Sequence, residues 1–291
     1  MSDRSASPSF FSRQERFARV ASTNDVVRDW LAAGASEVCV AVADEQTAGR
    51  GRDGRSWVAP PGAALLLSFG FRPAWIPAGQ TWRLAALISL AMADAAEAVA
   101  GLPDGSIQLK WPNDLVAVDG GSADPRAGTL RKLAGILGET DGLGTADPRV
   151  VIGLGLNAGW QRSAFPTELE PRMTSLHELS GGRAIGSALL LETFLARVET
   201  KVEELRAGQF DGAGWTARQI TTGRDVTIEL PGGDRSTVRA LGVDIESGGL
   251  VVADADLPAG ERLVHSGEIR HVRLPDDIAA PTDGRLARVG V

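Results

Sequence analysis

Residues 132–157 read KLAGILGETDGLGTADPRVVIGLGLN and contain two apolar runs on either side of a polar turn. The runs at 132–140 and 149–157 have the length and the apolar content of buried β-strands. The turn between them, residues 141–148, holds two glycines, two aspartates and one proline. We therefore expect the two strands to pair through this turn.

On both sides of this pair, the pattern of apolar and capping residues predicts further strands and helices. Strands are expected at 37–44, 63–71, 107–111 and 115–118. Helices are expected after Ser22-Thr23-Asn24-Asp25, over residues 81–100, and after Gly186. Pro112-Asn113-Asp114 interrupts one pair of strands, because a proline cannot donate to a sheet ladder. The pattern indicates an α+β domain.

The composition changes after about residue 218. Short apolar runs at 226–230, 236–243, 249–252 and 261–272 alternate with glycine-rich turns. This spacing predicts a small β-barrel or sandwich. We therefore divide the chain into a disordered N-terminal segment at 1–15, an α+β domain at 16–218, a small all-β domain at 219–274 and a flexible tail at 275–291.

The bulk composition excludes several classes of protein. A net charge of −7 and a pI near 5.1 argue against duplex nucleic acid as an obligatory partner. The single cysteine, Cys39, cannot form an intrachain disulfide, so we expect a buried thiol and a reducing compartment. No apolar run has the length of a signal peptide or a membrane span, and the three histidines lack zinc-ligand spacing. We expect a cytoplasmic protein.

Residues 49–57, which we call the clamp, place three arginines and three glycines in nine positions. Glycines allow the backbone to approach a ligand closely, and arginines offer forked donors to phosphate and carboxylate oxygens. We therefore expect the clamp to close over an anionic, nucleotide-like ligand, with Trp57 covering an aromatic base. A plain surface loop and an RNA-binding segment are the alternatives.

A second charged set lies at the end of the predicted strand 107–111. Lys110 and Asp114 are four residues apart across a proline turn, which puts a cation and a carboxylate in one pocket. The carboxylate is suited to hold Mg²⁺ or to accept a proton, and a structural salt bridge is the alternative. Lys132 enters an apolar strand, where its amine needs a partner or must reach the edge of the strand.

Five motifs, taken in their order along the chain, resemble those of the biotin protein ligase family. They are Ser22-Thr23-Asn24, residues 45–52 (EQTAGRGR), residues 110–114 (KWPND), residues 132–137 (KLAGIL) and residues 153–157 (GLGLN). The resemblance is strong over about residues 20–160 and looser beyond them. It implies a class II synthetase-like mixed sheet flanked by helices, followed by a small SH3-like β-barrel domain.

The resemblance also implies a two-step reaction. Biotin and ATP form biotinyl-5'-adenylate and pyrophosphate with Mg²⁺ as cofactor, and the adenylate then acylates one lysine of a biotin carboxyl carrier protein domain. The catalytic residues it implies are Arg52, Lys110, Asp114 and Lys132, with Asp114 serving either the metal or the acceptor amine. The biotin-binding residues it implies are Ser22, Thr23, Asn24, Gln46, Gly49, Arg50, Gly51, Arg52, Lys132 and Gly135. The nucleotide-binding residues it implies are Arg50, Arg52, Arg55, Trp57, Lys110, Asn113, Lys132 and Asn157.

Two features differ from the pattern of the family. Bifunctional members carry an N-terminal helix-turn-helix domain, whereas 21 residues precede Ser22 here, so binding to operator DNA is not expected. The loop at 119–130 is longer than a tight turn and is expected to project from the edge of the sheet. We also expect no membrane partner, and a monomer or a weak homodimer.

Three other functions remain open at this point. A lipoate–protein ligase or octanoyltransferase resembles the same family in fold, although the clamp and the KWPND run favour biotin. A non-catalytic biotin or biotinyl-adenylate sensor would release no pyrophosphate. The presence of all four charged residues that the resemblance implies for catalysis argues against a sensor; they are Arg52, Lys110, Asp114 and Lys132. An RNA-binding module built on the clamp would bind RNA with a steep dependence on salt.

Overall fold

The structure is a computed structural model that describes residues 9–119, 128–230, 232–266 and 271–273. Its larger sheet contains β1 (Arg13–Phe17), β2 (Cys39–Ala43), β3 (Ala64–Phe71), β4 (Ile107–Lys110), β5 (Asp114–Asp119), β6 (Thr129–Asp141) and β7 (Arg149–Asn157). These strands lie in the order β1-β2-β3-β7-β6-β5-β4. β1 runs parallel to β2 and the other pairs are antiparallel, so the sheet is mixed. The pair predicted from residues 132–157 is confirmed as β6 and the central strand β7.

Helices cover both faces of this sheet. They are α1 (Thr23–Ala32), α2 (Trp82–Ala100), α3 (Leu176–Leu179), α4 (Ser187–Arg206) and α5 (Gly212–Ala217). The main core contains Phe69 of β3, whose ring meets Phe194 of α4 edge to face at 5.6 Å, together with the alanine-rich face of α2. A smaller core lies under α1 on the opposite face. The α+β class and the mixed sheet flanked by helices are confirmed.

Cys39 lies in the smaller core and is fully buried there. It shares that core with Val27 of α1, because Gly70 of β3 presents no side chain: a Cβ on Gly70 would lie 2.6 Å from the Cys39 Sγ and 2.7 Å from Val27. Burial raises the pKa of the Cys39 thiol to about 11, so the thiol is protonated at neutral pH. The prediction of a small buried side chain is confirmed. Among the described residues, no helix is long and apolar enough to cross a membrane.

A second sheet follows in the chain. Its strands are β8 (Asp225–Glu229), β9 (Arg235–Val243), β10 (Leu250–Ala253), β11 (Glu261–Val264) and β12 (His271–Arg273), in the order β11-β10-β9-β8-β12. The predicted single strand at 261–272 is wrong, because β11 pairs with β10 at one edge and β12 pairs with β8 at the other. Closure of this sheet into an SH3-like barrel stays a prediction.

The N-terminal boundary and the domain junction differ from the sequence-based expectation. Residues 13–15 belong to β1, because their backbone pairs with residues 39–41 of β2, and so they are not part of a disordered segment. At the junction, the Leu109 amide of β4 donates to the Arg218 carbonyl at 2.8 Å, and the Ile220 amide donates to the Leu109 carbonyl at 2.9 Å. The predicted boundary after residue 218 therefore falls inside a segment that is hydrogen-bonded to the larger sheet.

The predicted loop at 119–130 is shortened at both ends, since Asp119 of β5 pairs with Thr129 of β6. Residues 120–127 of that loop lie outside the described residues, as do residues 1–8 and the predicted tail at 275–291.

Candidate active site

A cavity of about 470 Å³ opens beside the larger sheet, between the clamp, the 110–114 turn and the segment 169–173. Its walls include every predicted site residue except Gly49. They are Ser22, Thr23, Asn24, Gln46, Arg50, Gly51, Arg52, Arg55, Trp57, Lys110, Asn113, Asp114, Lys132, Gly135 and Asn157. Three widely separated cations, Arg52, Lys110 and Lys132, therefore share one cavity.

The clamp is a hydrogen-bonded hairpin. Its backbone amides at Gly51 and Trp57 donate to the carbonyls of Arg55 at 2.7 Å and of Gly49 at 2.9 Å. Asp53 at its tip has a φ of 57°, in the left-handed region that few residues other than glycine adopt. Gly49 closes the hairpin, because a Cβ there would lie 2.5 Å from the Trp57 carbonyl oxygen. Gly49 thus shapes the clamp and does not line the cavity.

One end of the cavity is lined by hydrogen-bonding side chains. Gln46 Oε1 accepts from the Thr23 backbone amide at 2.7 Å and from the Thr23 hydroxyl at 3.0 Å. The Nε2 group of the Gln46 side chain is therefore left to donate to a ligand. Ser68 Oγ lies 2.7 Å from Thr23 Oγ1 and 2.6 Å from Asn24 Oδ1. Asn24 Nδ2 is buried and has no hydrogen-bond partner among the residues described. This polar end therefore offers donors to a polar group of a ligand.

Two buried serines, Ser22 and Ser68, lie at the polar end of the cavity or support it. Ser22 occupies the N-cap position of α1, but its side chain makes no capping hydrogen bond and instead lines the cavity. Ser68, which is fully buried on β3, was not predicted from the sequence. A signal was present, because Ser68 is the one polar side chain in the run ALLLSFGF and a buried hydroxyl needs a partner.

The charged groups Lys110, Asp114 and Lys132 lie on β4, β5 and β6, across β7 from Ser68 of β3, and we call this part the cationic end of the cavity. Lys132 Nζ of β6 lies 2.6 Å from Asp114 Oδ1, and Asp114 pairs across the strands with Lys110 of β4. Burial acts to raise the pKa of Asp114, but the charges of Lys132 and Lys110 outweigh burial and hold that pKa below its ordinary value. Asp114 is therefore an ionised carboxylate at neutral pH.

Trp57 lies on the floor of the cavity. A Cβ on Gly155 would come within 2.5 Å of Trp57 Cε2, and one on Gly135 within 3.2 Å of Trp57 Cζ3, so both glycines make room for the indole ring. Lys132 Nζ lies 5.5 Å from the ring centroid, in cation–π range. Trp57 Nε1 is buried without a hydrogen-bond partner in the part of the chain described. The predicted contact of this ring with an aromatic base stays a prediction.

Three other predicted site residues donate hydrogen bonds to backbone carbonyls of the protein. Asn113 Nδ2 donates to the Ile136 carbonyl at 2.8 Å, and Asn157 Nδ2 donates to the Thr174 carbonyl at 2.9 Å. Arg55 Nε donates at 3.1 Å to a carbonyl within the clamp. These side chains are held by the protein itself and help to form the walls of the cavity.

One wall was not foreseen from the sequence. Leu169, Arg172 and Met173 line the cavity, and Met173 forms a β-bridge with Lys132. The segment that carries them has neither a motif nor a periodic pattern, so nothing in the sequence marked it. Val58, directly after the clamp, lines the cavity as well and is 73% exposed.

Residues that follow β9 and β11 of the second sheet contact both charged motifs. The Trp111 indole Nε1 donates to the Gly248 carbonyl at 2.9 Å, and Arg52 Nη2 donates to the Ser266 carbonyl at 2.7 Å. Gly248 has a φ of 73°, and a Cβ there would lie 2.5 Å from the ring of Trp82. The turn between β9 and β10 thus packs tightly against the larger domain, directly behind the 110–114 turn.

Replacing Trp111 by Phe should show what this contact contributes. Trp111→Phe leaves the Gly248 carbonyl without its donor, so we expect the free energy of unfolding to fall by about 1–3 kcal/mol. Because Trp111 also lines the cavity, we expect weaker binding of a nucleotide there. The matched control is Trp215→Phe, which removes the same ring volume from the aromatic cluster around Trp82. Denaturant titration and calorimetry with a nucleotide should show lower stability in both variants and weaker binding in the first alone. Unchanged nucleotide binding by Trp111→Phe would contradict this.

The cavity has one carboxylate that would hold a divalent cation. Asp114 is the one carboxylate among the lining residues that the structure describes, and its Oδ1 is paired with Lys132. Mg²⁺ is commonly bound by one or two carboxylates together with the phosphates of a nucleotide. The donor set would fit an Mg²⁺ ion that has Asp114 as its one protein carboxylate.

Comparison with known proteins adds a family and two relatives. Residues 16–157 match the model of the Biotin/lipoate A/B protein ligase family. A biotin--[acetyl-CoA-carboxylase] ligase of Mycobacterium tuberculosis is 35% identical over 262 residues, which cover 87% of this chain and 88% of that protein. An enzyme of the same name from Paracoccus denitrificans is 31% identical over 261 residues, covering 87% of this chain and 98% of that protein.

A solved structure agrees with the fold. The biotin protein ligase from Aquifex aeolicus in complex with biotin and ATP superposes with a TM-score of 0.71. The match covers 91% of this chain and 100% of that chain at 24% sequence identity. The likeness at this identity concerns the fold, with its mixed sheet followed by a smaller one.

Proposed function

This chain belongs to the biotin protein ligase family, and from that premise we propose that it is a biotin–[acetyl-CoA-carboxylase] ligase. It joins the carboxylate of biotin to the α-phosphate of ATP, releases pyrophosphate, and passes the biotinyl group to one lysine of a biotin carboxyl carrier protein domain. The observation that carries the proposal is a single cavity with a hydrogen-bonding end and a cationic end.

Activation of biotin brings two anions together. One carboxylate oxygen attacks the α-phosphorus, a new carbon–oxygen–phosphorus link forms, and the bond to pyrophosphate breaks. Lys132, Lys110 and Arg52 line the cavity where this happens and offset the negative charge of carboxylate and phosphate. The closed clamp keeps water from the mixed anhydride until the acceptor arrives.

The polar end of the cavity suits the ureido ring of biotin. The Asn24 Nδ2 and Gln46 Nε2 groups are donors that a ureido carbonyl can accept from, and Ser22 adds a hydroxyl. A dithiolane ring has no hydrogen-bonding group of comparable strength, so lipoate would leave the buried Asn24 amide unsatisfied. Sites of this kind reject analogues that lack the polar group, which favours biotin over lipoate or octanoate.

The second step needs a neutral amine on the acceptor lysine. Asp114 lies beside Lys132 in the cavity and keeps its negative charge at neutral pH, because the neighbouring lysines lower its pKa. A carboxylate with a lowered pKa is a weak proton acceptor, so Asp114 is better suited to orient the amine or to hold Mg²⁺. We propose Mg²⁺ as the ion that accompanies ATP and adds positive charge at the phosphates.

Two measurements on the intact chain test this function. Biotin-dependent release of pyrophosphate from ATP–Mg²⁺ is expected, and calorimetry should show tight binding of biotin and weak binding of lipoate. Lipoate binding without biotin binding would identify a lipoate or octanoate enzyme, and biotin binding without pyrophosphate release would identify a sensor. RNA affinity that falls steeply with salt would identify an RNA-binding module.

The remaining expectations stay predictions of this proposal. They are a cytoplasmic location, the lack of DNA and membrane partners, and a monomer or weak homodimer. The division into a ligase domain that includes β1 and a smaller C-terminal domain is likewise a prediction, with the hydrogen-bonded junction at 218–220 between them.

A further inference from the structure

The first arginine of the clamp is committed to protein carboxylates. Arg50 Nη1 donates to Asp25 Oδ2 at 2.8 Å, and Arg50 Nη2 donates to Asp25 Oδ1 at 2.8 Å and to Glu139 Oε1 at 3.1 Å. The bidentate geometry matches the fork of a guanidinium to both oxygens of one carboxylate. Arg28 of α1 contacts the same two acids.

These three residues, Arg50, Asp25 and Glu139, come from three separate elements. Arg50 belongs to the clamp, Asp25 to the first turn of α1 and Glu139 to β6. Asp25 directly follows Asn24, whose side chain lines the polar end of the cavity. We call this set the latch. Because it joins the base of the clamp to α1 and β6, it fixes the clamp against the polar end of the cavity.

The charge balance separates Arg50 from the other cations of the cavity. Two carboxylates surround Arg50, and with Arg28 included the group of four side chains is neutral. The latch side chains are between 27% and 36% exposed, so their interactions are only partly screened by solvent. Hydrogen bonds from Arg50 hold the pKa of Asp25 below its ordinary value, so the contact is made at neutral pH. Arg50 thus adds little net positive potential for a phosphate.

We propose that Asp25 and Glu139 are positioning residues of the ligase reaction, which act by latching Arg50 so that the clamp stays closed over the reactive adenylate. The inference rests on the proposed function. It gives Arg50 a role distinct from the ligand contact expected from the sequence, and it assigns a role to two acids that lie outside the five motifs. Formation of the adenylate depends on the other cations, whereas its retention depends on the latch.

Isosteric substitutions test the latch. Asp25→Asn and Glu139→Gln each remove one negative charge and keep the shape of the side chain. We expect the lifetime of the protein-bound adenylate, measured after rapid gel filtration in the absence of acceptor, to shorten about tenfold. The rate of the first-turnover burst of pyrophosphate release at saturating ATP should remain close to that of the unchanged protein, since the cations at the other end of the cavity are untouched.

A second readout does not depend on activity. Trypsin cleaves after arginine, and the clamp offers Arg52 and Arg55 as sites, so a released clamp should be cut faster at these positions by mass analysis. The matched control is Asp44→Asn, which breaks the exposed ion pair of Asp44 with Arg16 at the end of β2. The control should change neither the cleavage rate in the clamp nor the lifetime of the adenylate.

The outcomes separate the latch from its alternatives. The inference is overturned if Asp25→Asn and Glu139→Gln leave both readouts unchanged. It is also overturned if Arg50→Met abolishes pyrophosphate release at saturating ATP while Asp25→Asn does not alter cleavage of the clamp, because Arg50 would then act on the phosphates. Should the unchanged protein release no pyrophosphate at all, the proposed function fails, and the cleavage rates alone still decide whether the latch holds the clamp.

Discussion

Lys132→Met should slow the biotin-dependent release of pyrophosphate by about 100- to 1,000-fold. Lys132 lies on β6 at the cationic end of the cavity, 2.6 Å from Asp114 and 5.5 Å from the centre of the Trp57 ring. Its removal takes away positive charge where two anions must meet, and it leaves the Asp114 carboxylate without its closest partner. The affinity for biotin should change much less, since the polar end of the cavity is untouched.

The control for this prediction is Lys201→Met. Lys201 lies on α4, where its amine is 3.8 Å from Asp94, and it does not line the cavity. The control variant should release pyrophosphate at a rate near that of the unchanged protein. Denaturant titration of both variants would separate loss of catalysis from loss of folding. Near-normal pyrophosphate release by a folded Lys132→Met variant would show that Lys132 does not serve the activation step.

Gly153→Ala should weaken the binding of biotin by about 10- to 100-fold. A Cβ at Gly153 would overlap the Asn24 side chain, and it would displace the amide that Ser68 contacts at the polar end of the cavity. Overpacking at a well-filled site costs about 1–3 kcal/mol, which corresponds to this loss when it falls on the bound state. Calorimetric titration with biotin measures the change directly.

Gly159→Ala is the matched control for Gly153→Ala. Gly159 follows β7 closely, and a Cβ placed on it meets no described atom within 4 Å. The control should bind biotin as the unchanged protein does. Equal affinities for Gly153→Ala and Gly159→Ala would place the biotin ring away from Asn24 and would remove the proposed role of the polar end.

The strands were predicted well where burial on both faces of the sheet requires a long run of apolar residues. β6 and β7 carry long apolar runs because both lie in the interior of the sheet. Their pairing was predictable because the turn that joins them is formed by residues adjacent in the sequence. β1 was missed, because its side chains are mostly polar and partly exposed at the edge of the sheet, and its stability comes from backbone pairing with β2. The division of residues 261–272 into β11 and β12 was missed as well, since pairing with opposite edges leaves no local signal.

The candidate site was predicted residue by residue wherever a motif was present. The motifs that contain Lys110, Lys132 and Asn24 do line one cavity. The contacts of Arg50 could not be predicted in the same way, because Asp25 and Glu139 are 25 and 89 positions away along the chain. Sequence spacing identifies which groups carry charge, and only the fold decides which of them neutralise each other.

The most direct test of the central claim is the intact mass of a biotin carboxyl carrier protein domain after incubation with this chain, biotin and ATP–Mg²⁺. We expect the domain to gain one biotinyl group on a single lysine, and we expect this gain to require ATP and to be strongly reduced with Lys132→Met. A carrier domain of unchanged mass, in the presence of folded protein and all substrates, would contradict the claim that this cavity joins biotin to ATP for transfer.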